Sequence, residues 1–365
     1  MTYLNAAGHG LPDPAVRARM IAYMRREDEI GPAAAEHEAA PEMAAVTSKA
    51  ARIIEAQEEQ VVLVPTTTIG WNMAVLSLRL AGRRVLVAPG EWASDIPVLQ
   101  RMGAKVEVMP LNEHGALDLN ALESLIDDDL GAICAPMVSS LTGECYPVAE
   151  IGALQRPEGC AFVVDAAQAV GQMPVSVRDL NCDVLAATTR KWLRAPRDTA
   201  LLYVSEDTID RMGPNPAPRL FGITIDGTRF GDQPGVRRFD PGSVFAPQRL
   251  GQGVALDLFL ANQEKTFAQL AVLAGHARSR AGQAGIALAG TEANGSTIIS
   301  CRLPRNLADA RMPRLRAAGI EIKDAGPDCE PMRGLSAGEG AFLRLSPHVY
   351  NTKAEIDQVF DILAG

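Results

Sequence analysis

The chain predicts an α/β protein: a large section built on a mainly parallel sheet of seven strands, followed by a small α+β section at the C-terminus. Three observations carry this reading. Short apolar, β-branched runs alternate with helical patterns between about residues 60 and 205. The alternation then stops in a Pro/Gly-rich stretch from Gly213 to Pro247. After a long amphipathic segment, strand and helix signals resume in smaller number. Regular alternation of strand and helix is the signature of a parallel sheet covered on both faces, and such sheets gather ligands at the carboxyl ends of their strands.

Taken in order, helical periodicity marks 14–30 and 42–58, and QVVLVP (60–65) is the first buried strand. Strands are expected near 60–64, 84–88, 105–109, 131–135, 161–164, 183–187 and 199–204. Helices are expected near 68–81, 93–102, 119–126, 148–154 and 167–170. A single long helix is expected at 249–281, then strands near 297–303, 320–324 and 341–346 with helices near 307–318 and 352–363. The organisation read from this pattern is an N-terminal arm at 1–20, contributing to the small domain and the active-site entrance, a large domain at 21–248, a linking helix at 249–281 and a small domain at 282–365. The stretch 213–247 is longer than structureless loops usually are in compact domains, so it is expected to be functional or to span subunits.

At 365 residues the chain can bury a sizeable core. A net charge of −9, spread along the sequence, argues against a nucleic-acid or anionic-membrane surface. The opening MTYLNAAGHG lacks a basic region followed by an apolar one, and no run reaches the ~18 apolar residues of a membrane span. A cytoplasmic protein is expected. The six cysteines show no metal-like spacing and the five histidines are isolated, so reduced thiols and no metal site are expected.

The most informative segment is FVVDAAQAVGQMPVSVRDLNCDVLAATTRKW (162–192). Asp165 ends one apolar strand, and Lys191 stands just past the end of the next. A carboxylate and a lysine at adjacent strand ends are what pyridoxal 5'-phosphate requires: the acid keeps the pyridine nitrogen protonated and the amine forms the Schiff base. A strand-capping acid and a surface lysine are the plainer alternatives.

Other segments point the same way. PTTTIGWN (65–72) turns from strand to helix, where first-turn N–H groups and hydroxyls make an anion site. Thr67 and Thr68 can hold a phosphate there, or simply cap the helix. Trp92, in PGEWASD (89–95), lies at a strand's carboxyl end, where it can cover a flat ring or pack into the core. Thr188 and Arg190 can reach the phosphate, while Arg194 and Arg197 add positive potential that lowers the lysine pKa or form surface salt bridges. Arg344 interrupts an apolar strand in FLRLSPHVYNTKAEID (342–357). A buried arginine needs a partner, either a substrate carboxylate or a structural Asp or Glu. His9, Tyr350 and the 213–247 loop are expected at the entrance.

These segments in this order resemble the class V aminotransferase branch of the fold-type I PLP-dependent enzymes, which includes cysteine desulfurases, isopenicillin-N-epimerase-like proteins and hercynylcysteine sulfoxide lyases. The likeness runs from YLNAAGHGLP (3–12) to YNTKAEID. It implies that Asp165 partners the pyridine nitrogen, Gln168 donates to the ring hydroxyl, Lys191 forms the Schiff base and Trp92 stacks on the ring. It further implies phosphate contacts from Thr67 and Thr68, and from Gly242 and Ser243 of RRFDPGSVF reaching across a homodimer interface, with Arg344 on the substrate carboxylate. Three departures stand out. Arg190 replaces a histidine usual in desulfurases, Ser140 of VSSLTG replaces an asparagine near the ring, and Ala195 and Asp198 replace glycines. The first two lean toward the sulfoxide-lyase and epimerase-like subgroup.

Cys329 leans the other way. It precedes Arg344 by 15 residues in GPDCEPM, where one desulfurase type carries its sulfur-accepting thiol. Such a thiol must be exposed and thiolate-prone, and the flanking Asp328 and Glu330 oppose ionisation. The resemblance implies an enzyme forming a carbanion at Cα of an α-amino acid, with Lys191 as the base. The leading expectation is C–S cleavage by β-elimination in the manner of a desulfurase; an aminotransferase or epimerase is the alternative, and a non-catalytic PLP-fold binding protein is a third class.

Overall fold

The computed structural model describes residues 1–218, 222–242, 245–291, 295–335 and 340–365. After a short β1 (Thr2–Tyr3), the strands β2 (Val61–Val64), β3 (Arg84–Val87), β4 (Lys105–Val108), β5 (Leu130–Pro136), β6 (Ala161–Asp165), β7 (Val184–Thr188) and β8 (Ala200–Val204) form one seven-stranded sheet. Its order is β2-β8-β7-β6-β5-β3-β4, and β8 alone runs antiparallel to its neighbours. The expected α/β class and mainly parallel sheet are therefore present, with all seven strands close to where the apolar runs place them.

Alternation along each strand explains why both faces are covered. Leu63, Leu86, Ile133, Phe162, Val164, Leu185 and Leu201 enter one apolar layer. Val62, Val64, Val85, Val87, Val163, Val184 and Leu202 enter the other. Because side chains point to opposite faces at every step, a run such as VVLV feeds two cores at once and shows no polar alternation.

Several local expectations change. Residues 167–170 form a turn rather than a helix, because the Asp165 carboxylate accepts from Ala167 N at 2.7 Å and folds the chain back at once. The helix comes later, at Val177–Leu180, where the Ser176 hydroxyl caps it by accepting from Asp179 N. The pattern at 42–58 belongs to a longer helix, Pro32–Ile53, separated from Pro14–Ile30 by Gly31 at φ 85. The single helix expected at 249–281 is two, Ala246–Leu260 and Gln263–Gln283. At the break Asn262 donates from its side chain to Leu258 O, competing with the backbone ladder. The 213–247 stretch is not structureless: β9 (Ile223–Asp226) and β10 (Arg229–Asp232) pair as a hairpin turning at Gly227, φ 60. A two-residue loop opening with glycine, Gly227-Thr228, is a hairpin signal that the Pro/Gly-rich surroundings obscured.

In the C-terminal section β11 (Ile299–Leu303), β13 (Lys323–Ala325) and β14 (Ala341–Leu345) make a three-stranded antiparallel sheet, with β14 central. The strand expected at 320–324 is split into β12 (Ile320–Glu321) and β13, and β12 pairs in parallel with β1. Asn5 bridges to Ser346, so the N-terminus joins this section. Helix Pro14–Ile30 runs unbroken through residue 20 and packs on Ala246–Leu260. Among the described residues no helix is long and apolar enough to cross a membrane.

Candidate active site

The carboxyl ends of β5, β6 and β7, the N-terminus of helix Thr67–Leu76, the first residues of the chain and the β12–β14 edge surround a cavity of about 450 Å³. Lining it are Lys191, Asp165, Gln168, Thr67, Thr68, Trp92, Thr188, Arg190, Arg344, Ser140, His9 and Cys329. Strand register explains the first pairing. β6 and β7 run side by side with Asp165 opposite Ala186, so the acid and the lysine that follows β7 emerge at the same end of the sheet.

Burial governs their charge. It pushes the Lys191 amine down to about 7, with Arg190 and Arg344 adding to the drop and Asp165 opposing it. The expectation gave that role to neighbouring positive charge; desolvation is the larger cause. Asp165 is held above the ordinary carboxylate range by burial, against the pull of Lys191 and the Ala167 N–H.

Thr66, not Thr67, caps helix Thr67–Leu76, its hydroxyl accepting from Ile69 N at 3.1 Å. Thr67 Oγ1 is buried without a partner, so the capping alternative does not consume it. Trp92 lies 37 % exposed in the cavity wall, whereas Trp71 and Trp192 fill the core. Thr188 lines the cavity and donates to Thr199 O at 3.3 Å.

Two side chains of the cavity wall also hold the N-terminal segment. Arg190 donates through Nη1 to Gly8 O. Gln168 Nε2 donates to Ala7 O and to Ser140 Oγ, each at 3.1 Å, while its Oε1 accepts from Trp192 Nε1 at 3.1 Å. The Trp192 N–H fixes the orientation of that amide, since an indole can only donate.

Arg344 is 6 % exposed and donates through Nη1 to Ser140 O at 2.6 Å and Ser140 Oγ at 3.1 Å; its Nε has no partner. Among the described residues no carboxylate pairs with it. Burial lowers its pKa, countered by Cys329 and Glu330. The Cys329 thiol donates to Gly326 O at 3.1 Å and is pushed up to about 11, by burial first and Glu330 second. His9 is driven down to about 4 by burial and by Arg197, Arg190 and Arg17.

Arg197 lines the cavity, but Arg194 does not: it donates to Leu11 O at 2.7 Å and lies over the Tyr350 ring. Tyr350 is likewise outside the lining, stacked on His348. Gly242, φ 80, does not line the cavity of its own chain, and Ser243 lies outside the described residues.

Sequence reasoning overlooked two carboxylates. Glu91 and Asp95 bring an oxygen each within 4.8 Å of one on Asp165. Both are held far above the carboxylate range, by burial first and by a neighbouring carboxylate next, Asp95 for Glu91 and Asp165 for Asp95. Their spacing of four in PGEWASD was the available signal, but only the tryptophan between them drew attention. Tyr3, Asn5, Glu321 and Lys323 also line the cavity, brought there by the β1–β12 pairing.

This fold and cavity define a class. The chain belongs to the aminotransferase class-V family, which it matches over residues 2–359. A cysteine desulfurase from Yersinia pestis (strain Pestoides F) is 31% identical over 232 residues, covering 60% of this chain and 56% of the relative. The matched region thus spans little over half the length of such curated relatives. Among solved structures, the apo cysteine desulfurase of Thermococcus onnurineus NA1 superposes with a TM-score of 0.87 at 22% identity, covering 100% of this chain and 94% of that one. The cystine C-S lyase C-DES, in complex with cysteine persulfide, does so with a TM-score of 0.88 at 20% identity, covering 99% and 97%. These likenesses establish the fold-type I architecture.

Proposed function

We propose that this cavity holds pyridoxal 5'-phosphate and acts on an α-amino acid, with C–S cleavage by β-elimination as the leading reaction. The observation that carries the reading is the meeting, in one cavity, of a lysine amine with a pKa near 7, a partly buried acid at the adjacent strand end and a buried arginine with no carboxylate partner among the described residues.

The residues present fit the cofactor. Lys191 would bind its aldehyde, Asp165 its pyridine nitrogen, and Thr67, Thr68 and the amides opening helix Thr67–Leu76 its phosphate. Trp92 is placed to shield one face, Gln168 and Thr188 to bound the ring's edge. When bound, the cofactor supplies an electron sink for charge released at Cα. Arg344 offers Nε, a donor in need of an acceptor, to the substrate carboxylate; Ser140 holds its other end. Lys191, half neutral near pH 7, can take the Cα proton.

Cys329 supports release of the sulfur group as a small species over its capture by this thiol, since a sulfhydryl held at about 11 is a poor nucleophile at neutral pH. A relative described as a cysteine desulfurase and a structural neighbour described as a C-S lyase favour C–S cleavage over transamination. The proposed active unit is a two-fold dimer in which Gly242 and Ser243 serve the neighbouring subunit's phosphate site.

The test is to incubate the purified protein, loaded with the cofactor, with a panel of amino acids and sulfur-substituted alanines while following absorbance and products. Pyruvate, ammonia and a released sulfur species support the reading. Accumulation of the pyridoxamine form would replace it by transamination. A spectrum with no band in the range of about 410–430 nm expected of such imines would remove the cofactor itself.

A further inference from the structure

Glu330 is a buried carboxylate, 1% exposed, with a full set of partners. Its Oε1 accepts from Ser139 Oγ at 2.7 Å and Leu141 N at 2.8 Å, and its Oε2 from Arg333 Nε at 3.0 Å. Arg333 in turn donates to Glu144 Oε2 and Tyr146 Oη, each at 3.0 Å. The two groups held by Oε1 straddle Ser140. Ser140 is the residue whose carbonyl and hydroxyl accept from Arg344 and whose hydroxyl also accepts from Gln168.

Burying a carboxylate is costly unless hydrogen bonds and an opposite charge replace its water, and Glu330 has both. What that network fixes is one tripeptide, 139–141. Among the described residues the hydrogen bonds holding the Arg344 guanidinium go to Ser140 O and Oγ, so the angle at which Nε meets the cavity depends on where Ser140 stands. Local bonds already close this turn, Ser139 N donating to Glu144 O and Gly143 N to Ser139 O, and Glu330 adds an anchor from the neighbouring section of the chain. We propose that Glu330, oriented by Arg333, is a positioning residue for the substrate-carboxylate subsite, holding Ser140 and through it Arg344. The inference rests on the reading that Arg344 takes the substrate carboxylate.

The experiment compares two ligands that differ only in that carboxylate, L-alanine and ethylamine, titrated into the cofactor-loaded protein and followed by cofactor absorbance. The ratio of their affinities reports the subsite, while ethylamine alone reports the rest of the site. Arg344→Ala is expected to bring the ratio close to one. Glu330→Gln is expected to lower the ratio by about five- to tenfold, the worth of one well-aligned hydrogen bond, with ethylamine binding unchanged. In the cofactor-free protein the Leu141 amide of Glu330→Gln should exchange its hydrogen faster than in the parent chain. Ser139→Ala, which removes one of the two arms together with the acceptor of Thr142 N and Oγ1 and leaves the ion pairs intact, should lower the ratio in the same direction, and it carries the test if Glu330→Gln does not fold.

An unchanged ratio in Glu330→Gln or Ser139→Ala, beside a collapsed one in Arg344→Ala, overturns the positioning role and leaves the Arg344 reading standing. Equal losses for L-alanine and ethylamine reduce Glu330 to a structural residue and also overturn it. A ratio that survives Arg344→Ala removes the subsite and the proposal together.

Discussion

Lys191 is a lysine whose ionisation has been altered by its surroundings. Its amine falls to about 7 because protein has replaced most of its water, and this predicts a pH signature. An unfolded chain keeps the lysine protonated to about 10.4. Between about 7 and about 10 the unfolded state therefore binds a proton that the folded state has lost, so the stability of the cofactor-free protein rises with pH across that window. Denaturant titrations of the parent chain and Lys191→Met at pH 7 and 9.5 should differ by a positive slope present only in the parent; equal slopes would contradict the buried amine. In the loaded enzyme Lys191→Ala should lose about 10²–10⁴-fold in turnover, the usual contribution of a positioned base, measured as product per active site.

At the scale of the element, the strand-to-helix turn at Pro65–Thr68 divides its work between adjacent threonines. Thr66 caps helix Thr67–Leu76, while Thr67 Oγ1 is buried without a partner. Thr66→Ala should thus cost about 1 kcal/mol of stability in the cofactor-free protein, as lost caps do, read from the denaturation midpoint. Thr67→Val should cost the apo fold little and instead speed loss of the cofactor on dialysis. The reverse pattern would exchange the two roles. The turn at 167–170 shows the same economy: Asp165 shapes the chain through Ala167 N while presenting its carboxylate to the cavity. A helical pattern in sequence cannot register that local competition, because the acceptor belongs to the preceding strand.

At the scale of the whole molecule, the first ten residues join the large sheet to the C-terminal section. β1 pairs with β12, Ala6 N donates to Ser346 O, and Gly10 N donates to Arg190 O at 2.9 Å. A Cβ on Gly10 would lie 2.1 Å from Lys191 O, an impossible contact with backbone. Gly10→Ala should therefore displace the arm, and since Arg190 and Gln168 both donate to it, weaken cofactor retention as well as stability. Retention measured by dialysis, unchanged in Gly10→Ala, would show that the arm is not part of the site. The proposed dimer belongs to this scale too. Sedimentation velocity should find two chains per particle, and a fully active monomer would contradict the placing of Gly242 and Ser243.

The order of amino acids sufficed for the sheet, the carboxyl-end location of the site and just under half of the residues in its wall. Apolar β-branched runs have few alternatives to buried strands, and Asp165 and Lys191 at the ends of adjacent parallel strands must emerge together. Packing decided how those residues are engaged. It tied Arg190 to Gly8, left Arg344 with no carboxylate partner among the described residues, gave the cap to Thr66 and added Glu91 and Asp95 beside Asp165. It also joined Glu330 to Ser139 and Leu141, 191 and 189 positions away in the chain. Periodicity reports which face of an element is buried; it carries no information about which distant polar group will satisfy a buried donor. That choice is made when the sections of chain pack and every buried charge must find its partner.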